Sequence, residues 1–192
     1  ARYVADSSPL PVLATIRTSV EGGEAYLDDE EYCALVRSLA SSAGGVDVEI
    51  SRDGAHTLIE RVHAAGAVAV ASFHDFEATP ADDVLEEVLA RMVNEGADLA
   101  KIAVWPTSAD DVARLLGVCA RATAGAGEGT GLGVPVAAMS MGALGAVSRV
   151  APAFGSALTF AVVPDEQGQA RASAPGQLPL QDVRRCLELL RA

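Results

Sequence analysis

The sequence predicts an α/β fold, and three observations support this. Apolar, β-branched runs alternate with amphipathic helical stretches, which is typical of a parallel sheet covered by helices. The apolar runs are short and nearly continuous, as in strands buried on both faces. Length then favours a (β/α)8 barrel over an open doubly wound sheet. Eight barrel units usually take about 250 residues, so six take about 190, and the chain has 192 residues.

We therefore expect a (β/α)8 TIM barrel of which this chain shows about six βα units. The first two units would be missing, and Ala1–Ser8 would be the end of a preceding helix or a linker. Residues 1–192 would form a single barrel domain, incomplete at its N-terminus.

Apolar runs, capping residues and turn residues place each element. The predicted strands are Val12–Ile16, Val46–Ile50, Ala67–Ser72, Leu99–Trp105, Val134–Ser140 and Ser156–Val162. Predicted helices cover about Asp28–Ser41, Gly54–Ala65, Thr79–Asn94, a stretch from Ser108, Gly142–Val150 and Leu180–Leu190. Thr79 would be an N-cap with Pro80 at the first helical position. The glycine-rich loop Ala122–Gly133 lacks a phosphate-binding spacing.

Net charge and the lack of long apolar runs argue against some classes of binding partner. The net charge of −12 argues against nucleic acid and anionic membranes, because both require a basic face. No apolar run of about 18 residues and no signal peptide is present, so we expect a cytoplasmic protein without membrane association. Cys33, Cys119 and Cys186 have no metal-binding spacing and are interpreted as reduced, buried residues in helices.

Lys101 is the most informative residue, since it is the only lysine and lies inside the apolar run Leu99–Pro106. Burial favours the neutral amine over the ammonium, and neutral amines form Schiff bases with ketones. The alternative is that Lys101 reaches solvent at the start of its strand or pairs with a carboxylate such as Asp98. Position alone does not separate these interpretations.

Other candidates follow the predicted strands, where barrel enzymes carry their active sites. His74 follows the third strand and is suited to proton transfer near neutral pH, although a lone histidine there is often structural. Arg149 is either a helix-surface residue or a carboxylate ligand. The remaining candidates at strand ends are Arg17, Glu21, Glu49, Met139, Met141, Ser173 and Gln177.

Seven separated motifs resemble type I 3-dehydroquinate dehydratase, in the order that family has them from about residue 11 onward. They are Val12–Thr18 with Glu21–Glu24, Val46–Glu49, His74–Phe76 with Thr79-Pro80, Gly96–Val104, Met139–Gly142 with Val147–Arg149, Phe154–Phe160 and Ser173–Gln177. The resemblance implies a homodimeric enzyme of the shikimate pathway. It would dehydrate 3-dehydroquinate to 3-dehydroshikimate without metal or cofactor.

The resemblance also implies roles. Lys101 would form the Schiff base, His74 would be the general acid and base, and Glu21 would orient His74. The residues implied to bind or enclose substrate are Arg17, Arg149, Ser173, Gln177, Met139, Met141, Phe76, Phe160 and Glu49. Two departures stand out. Nothing before Arg17 supplies the family's Glu-x-Arg pattern, and Trp105 stands where methionine is commoner.

Two other functions fit parts of this pattern. A class I aldolase also uses a barrel lysine, but the chain lacks a recognisable phosphate loop. An inactive truncated barrel would leave two open sheet edges, which promote aggregation unless they are covered.

Overall fold

The computed structural model describes residues 2–125, 131–165, 167, 169 and 172–190. It is an α/β structure with a five-stranded parallel sheet in the order β1-β2-β3-β4-β5. The strands are β1 Leu13–Ala14, β2 Gly45–Glu49, β3 Val68–Asp75, β4 Leu99–Val104 and β5 Val136–Ser140. The helices are α1 Arg2–Ser7, α2 Asp29–Ala40, α3 Ala55–Ala64, α4 Asp82–Asn94, α5 Ala109–Thr123 and α6 Leu180–Leu190. Short 3-10 turns span Ser19–Glu21, Ala146–Val150 and Pro152–Phe154.

The chain divides into two compact units. Unit 1 consists of Ala1–His74 with Glu87–Lys101, and unit 2 of Asp75–Glu86 with Ile102–Ala192. The prediction of a single domain over residues 1–192 stays a prediction.

Unit 1 is built around β2 and β3, which pair in parallel with Val46 opposite Ala69 and Glu49 opposite Ser72. Helices α2 and α3 pack on each other and on β2. A capping box between Asp28 and Glu31 begins α2. The buried side chains between these layers are aliphatic or aromatic: Tyr32, Val36, Val46, Val48, Leu58, Ile59 and Val62. Their burial stabilises the strands that carry the polar residues of the site.

In unit 2, α5 packs on β5. The buried residues of α5 are Val112, Leu115, Val118 and Cys119. Ser108 caps α5 in a capping box with Asp111, which confirms the predicted helix start. The backbone N–H of Met141 donates to the carbonyl of Val104, so the end of β5 is held beside the end of β4.

The predicted sixth strand, Ser156–Val162, is wrong. Within this segment only Val162 forms a β-bridge, an isolated one with Pro179. Ala157 N–H donates to Val136 O, but the next bonding position on β5, the N–H of Ala138, donates to the Ser156 hydroxyl. A side chain therefore occupies the place of a strand carbonyl, and the ladder stops.

Two helix predictions also need correction. Gly142–Val150 forms a turn followed by the 3-10 segment Ala146–Val150, not an α-helix. Helix α4 begins at Asp82, so Thr79 is not its N-cap and Pro80 is not its first residue. The Thr79 hydroxyl donates to Trp105 O at 3.0 Å instead. The guanidinium of Arg114 binds the carbonyls of Thr79 and Pro80, which holds this stretch outside the helix.

Smaller boundary differences bear on the site. Strand β3 continues to Asp75, so His74 lies within the strand. Helix α5 extends to Thr123 into the predicted glycine-rich loop, of which residues 126–130 lie outside the described residues. All three cysteines are free and lie in helices as predicted, but Cys119 is buried whereas Cys33 and Cys186 are partly exposed. Among the described residues, no helix has the length and apolar character needed to span a lipid bilayer.

Candidate active site

A polar cluster lies on β2, β3 and β4 within unit 1. Asp47 and Glu49 are two residues apart on β2, as are Ser72 and His74 on β3, so each pair shares one face of its strand. Lys101 on β4 is 7% exposed, and Asp47 and Glu49 are fully buried. Buried charges require partners, and this cluster supplies them internally.

Arg17 is the centre of this cluster and contacts three carboxylates. Its Nη1 lies 2.8 Å from Glu21 Oε2 and 2.9 Å from Glu49 Oε1, while its Nη2 lies 2.8 Å from Asp47 Oδ1. The Nη2 group also donates to the Ser72 hydroxyl at 3.1 Å. The planar guanidinium therefore fixes three acidic groups at set distances from one another.

Glu49 holds the loop that carries Arg17. Its carboxylate accepts hydrogen bonds from the Thr18 backbone N–H at 2.8 Å and the Thr18 hydroxyl at 2.7 Å. Its own backbone N–H donates to the phenol oxygen of Tyr32 at 2.9 Å. Farther along the loop, a Cβ at Gly23 would lie 2.0 Å from the carbonyl oxygen of Arg17, so the turn has no room for a side chain. The predicted substrate-binding role of Glu49 stays a prediction.

Glu21 and His74 form the second contact of chemical interest. His74 Nδ1 lies 2.8 Å from Glu21 Oε2, and the Ser51 hydroxyl donates to Glu21 Oε1 at 2.6 Å. Burial raises the pKa of Glu21 to about 7. Burial, followed by the positive charges of Arg17 and Lys101, lowers the pKa of His74 to about 3. The imidazole is thus neutral near pH 7 and able to accept a proton.

Lys101 pairs with Asp47. The distance from its Nζ to Asp47 Oδ2 is 2.9 Å. Burial alone would raise the pKa of Asp47, but the adjacent Lys101 and Arg17 outweigh it and lower that pKa. Asp98, the partner considered from the sequence, instead binds His63 Nε2 at 2.9 Å and the Ala69 N–H at 2.8 Å.

Unit 2 carries Arg149, which is 3% exposed. Its Nη2 donates to Pro175 O at 2.9 Å, and its Nη1 lies 3.5 Å from Phe160 O and 3.7 Å from the Met139 sulfur. Its Nε has no partner, and within the described part of the chain no carboxylate pairs with this guanidinium. Burial lowers the pKa of Arg149. A buried cation with only neutral neighbours is suited to binding an anion.

The other predicted residues of unit 2 differ in exposure. Met139 and Met141 are buried, while Phe76 and Phe160 are partly exposed. Ser173 and Gln177 bond to each other, with the Ser173 N–H donating to Gln177 Oε1 at 2.9 Å.

This loop lies against the end of β5. The N–H of Gly142 donates to Pro175 O at 3.3 Å, and a Cβ at Gly142 would lie 3.4 Å from the Trp105 indole.

Several functional candidates were not singled out from the sequence. Asp47 and Ser72 lie in apolar runs, and the period of two that places them on the same faces as Glu49 and His74 was the available signal. Thr18 and Ser51 gave no such signal, because their contacts depend on loop conformation. Among the described residues no group of acidic, histidine and cysteine side chains is arranged to hold a metal ion.

The fold and site define a class: an α/β protein with a buried lysine amine next to a carboxylate, and a neutral imidazole held by a second carboxylate. That arrangement is suited to imine formation and proton transfer at a carbonyl compound. The chain belongs to the type I 3-dehydroquinase family, whose model matches residues 2–192.

Individual relatives agree with this assignment. The chain is 42% identical to a 3-dehydroquinate dehydratase of Klebsiella pneumoniae strain 342, covering 94% of this chain and 70% of the relative. It is 40% identical to that of Listeria monocytogenes serotype 4b strain CLIP80459, covering 94% and 69%. The crystal structure of the Geobacillus kaustophilus HTA426 enzyme matches with a TM-score of 0.83 at 35% identity, covering 94% and 68%. The Clostridium difficile type I enzyme with covalently modified comenic acid matches with a TM-score of 0.81 at 32% identity, with the same coverages.

Proposed function

We propose that this chain is a hydro-lyase that dehydrates 3-dehydroquinate to 3-dehydroshikimate through an imine on Lys101. The observation that carries the proposal is the pairing of a buried amine with Asp47 in the same cluster as the His74–Glu21 pair. Family membership and relatives named for this reaction support it.

The reaction begins when the neutral Lys101 amine attacks the C3 ketone and the resulting carbinolamine loses water. The protonated imine withdraws electrons and acidifies the neighbouring C2 proton. His74 takes that proton and then delivers a proton to the departing C1 hydroxyl, which leaves as water. Hydrolysis of the imine releases the enone product and restores the amine. Glu21 orients the His74 ring through the Nδ1 contact.

Further residues are assigned to substrate recognition, as the family resemblance implies. In unit 2, Arg149 binds the substrate carboxylate, Ser173 and Gln177 bind its polar groups, and the predicted apolar wall excludes water. The wall consists of Met139, Met141, Phe76 and Phe160. In unit 1, Arg17 binds substrate hydroxyls, and Glu49 is a further substrate-binding residue. The buried guanidinium of Arg149 with its unpartnered Nε supports the carboxylate assignment.

The proposal extends to architecture and setting. The five described strands would be part of a (β/α)8 barrel, and the protein would be a homodimer, as the family resemblance implies. Its location would be cytoplasmic. Light scattering at micromolar concentration tests the assembly. A mass of one chain would contradict the dimer.

The function is tested by trapping. Borohydride is added to the protein with 3-dehydroquinate, and peptide mass analysis should locate one reduced adduct on Lys101, which is the only lysine available. Ultraviolet absorbance of the enone measures turnover. The Lys101→Ala variant should lose both the adduct and turnover, whereas Asp98→Asn should keep both. Turnover by Lys101→Ala would overturn the mechanism.

A further inference from the structure

Asp47 is a buried carboxylate that the proposed reaction has not yet used. It lies on β2, is fully buried, and its Oδ2 is 2.9 Å from the nitrogen that forms the imine. We propose that Asp47 is the counterion of the Lys101 nitrogen, keeping the imine protonated while the C2 proton is removed. The inference rests on the proposed function and names a further catalytic residue for it.

The other oxygen of Asp47 holds the carboxylate in place. Its Oδ1 accepts from the Ser72 hydroxyl at 2.5 Å and from Arg17 Nη2 at 2.8 Å. Both oxygens are therefore committed to protein donors, and neither is available to a substrate hydroxyl. Rotation of the carboxylate would break the contacts of both oxygens, so Oδ2 stays beside Lys101.

Among the acidic residues of the cluster, Asp47 is the one placed to act on the Lys101 nitrogen. The Arg17 guanidinium forms ion pairs with Glu21, Glu49 and Asp47. Glu21 accepts from Ser51 and lies against His74, while Glu49 accepts from Thr18. Each of these acids therefore has other donors. Asp47 is the one whose second oxygen bonds Lys101.

The charge on the Lys101 nitrogen changes during the reaction. The ammonium must lose one proton to solvent before the amine attacks the ketone. Loss of water from the carbinolamine then regenerates a positive charge on the same nitrogen, 2.9 Å from where Asp47 Oδ2 lies in the free protein. A nearby anion stabilises this iminium over the neutral imine. The carboxylate remains ionised throughout and exchanges no proton.

The first test needs no substrate. Because the chain has a single lysine, protein grown on ¹³Cε-lysine gives one resonance that reports the surroundings of the Lys101 nitrogen. In Asp47→Asn this resonance should move relative to the unaltered protein at the same pH, because the carboxylate 2.9 Å from Nζ is gone. Asp98→Asn, which removes an exposed carboxylate near Lys101 in sequence, should leave the resonance in place. An unmoved resonance in a folded Asp47→Asn variant would overturn the proposal.

The second test measures turnover. Asp47→Asn should lower kcat at least about tenfold with little change in KM, because the lost charge acts on the reacting nitrogen. More imine should then be trapped by borohydride during turnover. Asp47→Glu, which keeps the charge, should recover part of kcat. A rise in KM alone, or a folded Asp47→Asn that forms no adduct, would contradict the counterion role.

A third measurement applies if Asp47→Asn fails to fold. Unaltered protein labelled with ¹⁵Nζ-lysine is mixed with 3-dehydroshikimate, and the nitrogen shift distinguishes iminium from neutral imine. The iminium should persist at neutral pH and above, and a neutral imine at pH 7 would refute the inference. If unaltered protein forms neither product nor adduct from 3-dehydroquinate, the proposed function fails, whereas the substrate-free ¹³Cε resonance still tests the Asp47–Lys101 pair.

Discussion

His74 Nδ1 and Glu21 Oε2 lie 2.8 Å apart, and the same carboxylate oxygen accepts from Arg17 Nη1 at 2.8 Å. One oxygen therefore links the proposed general base to the cation at the centre of the cluster. The two partners have pKa values displaced in opposite directions, Glu21 upward to about 7 and His74 downward to about 3. This opposition gives the pair a distinctive pH dependence.

Two variants separate the contributions of Glu21 and His74 to the pH dependence of folding stability. Between pH 4.5 and 7 the folded protein holds the Glu21 proton more tightly than the unfolded chain does. The contribution of Glu21 to the free energy of unfolding therefore falls as pH rises. Between pH 3 and 6.5 the unfolded chain binds more protons at His74 than the folded protein does. The contribution of His74 to the free energy of unfolding therefore rises with pH. Urea unfolding should show stability decreasing with pH in His74→Gln and increasing in Glu21→Gln, relative to the unaltered protein. Parallel pH curves for the two variants would contradict these displacements.

The Lys101–Asp47 pair should be energetically coupled. Lys101→Met leaves a fully buried carboxylate with one fewer cation and should cost about 3 kcal/mol of unfolding free energy. The double variant with Asp47→Asn should cost less than the sum of the single variants by about 1 to 3 kcal/mol. Combining Lys101→Met with Asp98→Asn provides the control and should be additive. Additivity in the Asp47 cycle would show that the ion pair contributes no coupling energy.

Replacement of Arg149 should lower activity without lowering stability. Arg149→Met removes a buried guanidinium that pairs with no carboxylate in the described part of the chain, so thermal stability should be unchanged or higher by about 1 kcal/mol. The same change should lower kcat/KM for 3-dehydroquinate about 30-fold or more, because the substrate carboxylate loses its partner. Calorimetry and initial rates measure the two effects. A destabilised variant with unaltered kcat/KM would indicate a structural role instead.

Gly23 should tolerate no side chain. A Cβ there would lie 2.0 Å from the Arg17 carbonyl oxygen, so Gly23→Ala forces the Arg17 loop to move and should cost about 1 to 3 kcal/mol. Turnover should fall with it, because Arg17 contacts three carboxylates of the site. Gly44→Ala is the matched control, since its Cβ would meet nothing closer than 3.7 Å. Equal melting temperatures for the two variants would contradict the close approach.

Much of the site follows from sequence because strand ends are recognisable. The position of Lys101 inside an apolar run leaves two interpretations open, a buried amine and a lysine that reaches solvent or pairs with a carboxylate. The structure shows a buried side chain that is paired with Asp47. The identity of that partner is set by strand pairing: Asp98 is three residues away along the chain, whereas Asp47 is brought beside Lys101 from another strand. Apolar patterns predict strands but do not assign such cross-strand pairs.

Two of the elements that differ from prediction are interrupted by side-chain hydrogen bonds. The Ser156 hydroxyl accepts from β5 and interrupts the expected sixth strand. Arg114, 35 residues after Thr79, binds the Thr79 carbonyl and helps to hold the expected helix start open. Local capping rules contain neither contact, since each partner is distant in sequence.

The Trp105 indole lies where it can report on a neighbouring loop. It is the only tryptophan, and it packs beside Gly142, whose N–H holds the loop of Ser173 and Gln177 through Pro175. Displacement of that loop would change the polarity around a lone fluorophore. Emission from this one ring is therefore a label-free optical readout of loop position, usable in stopped flow alongside product absorbance.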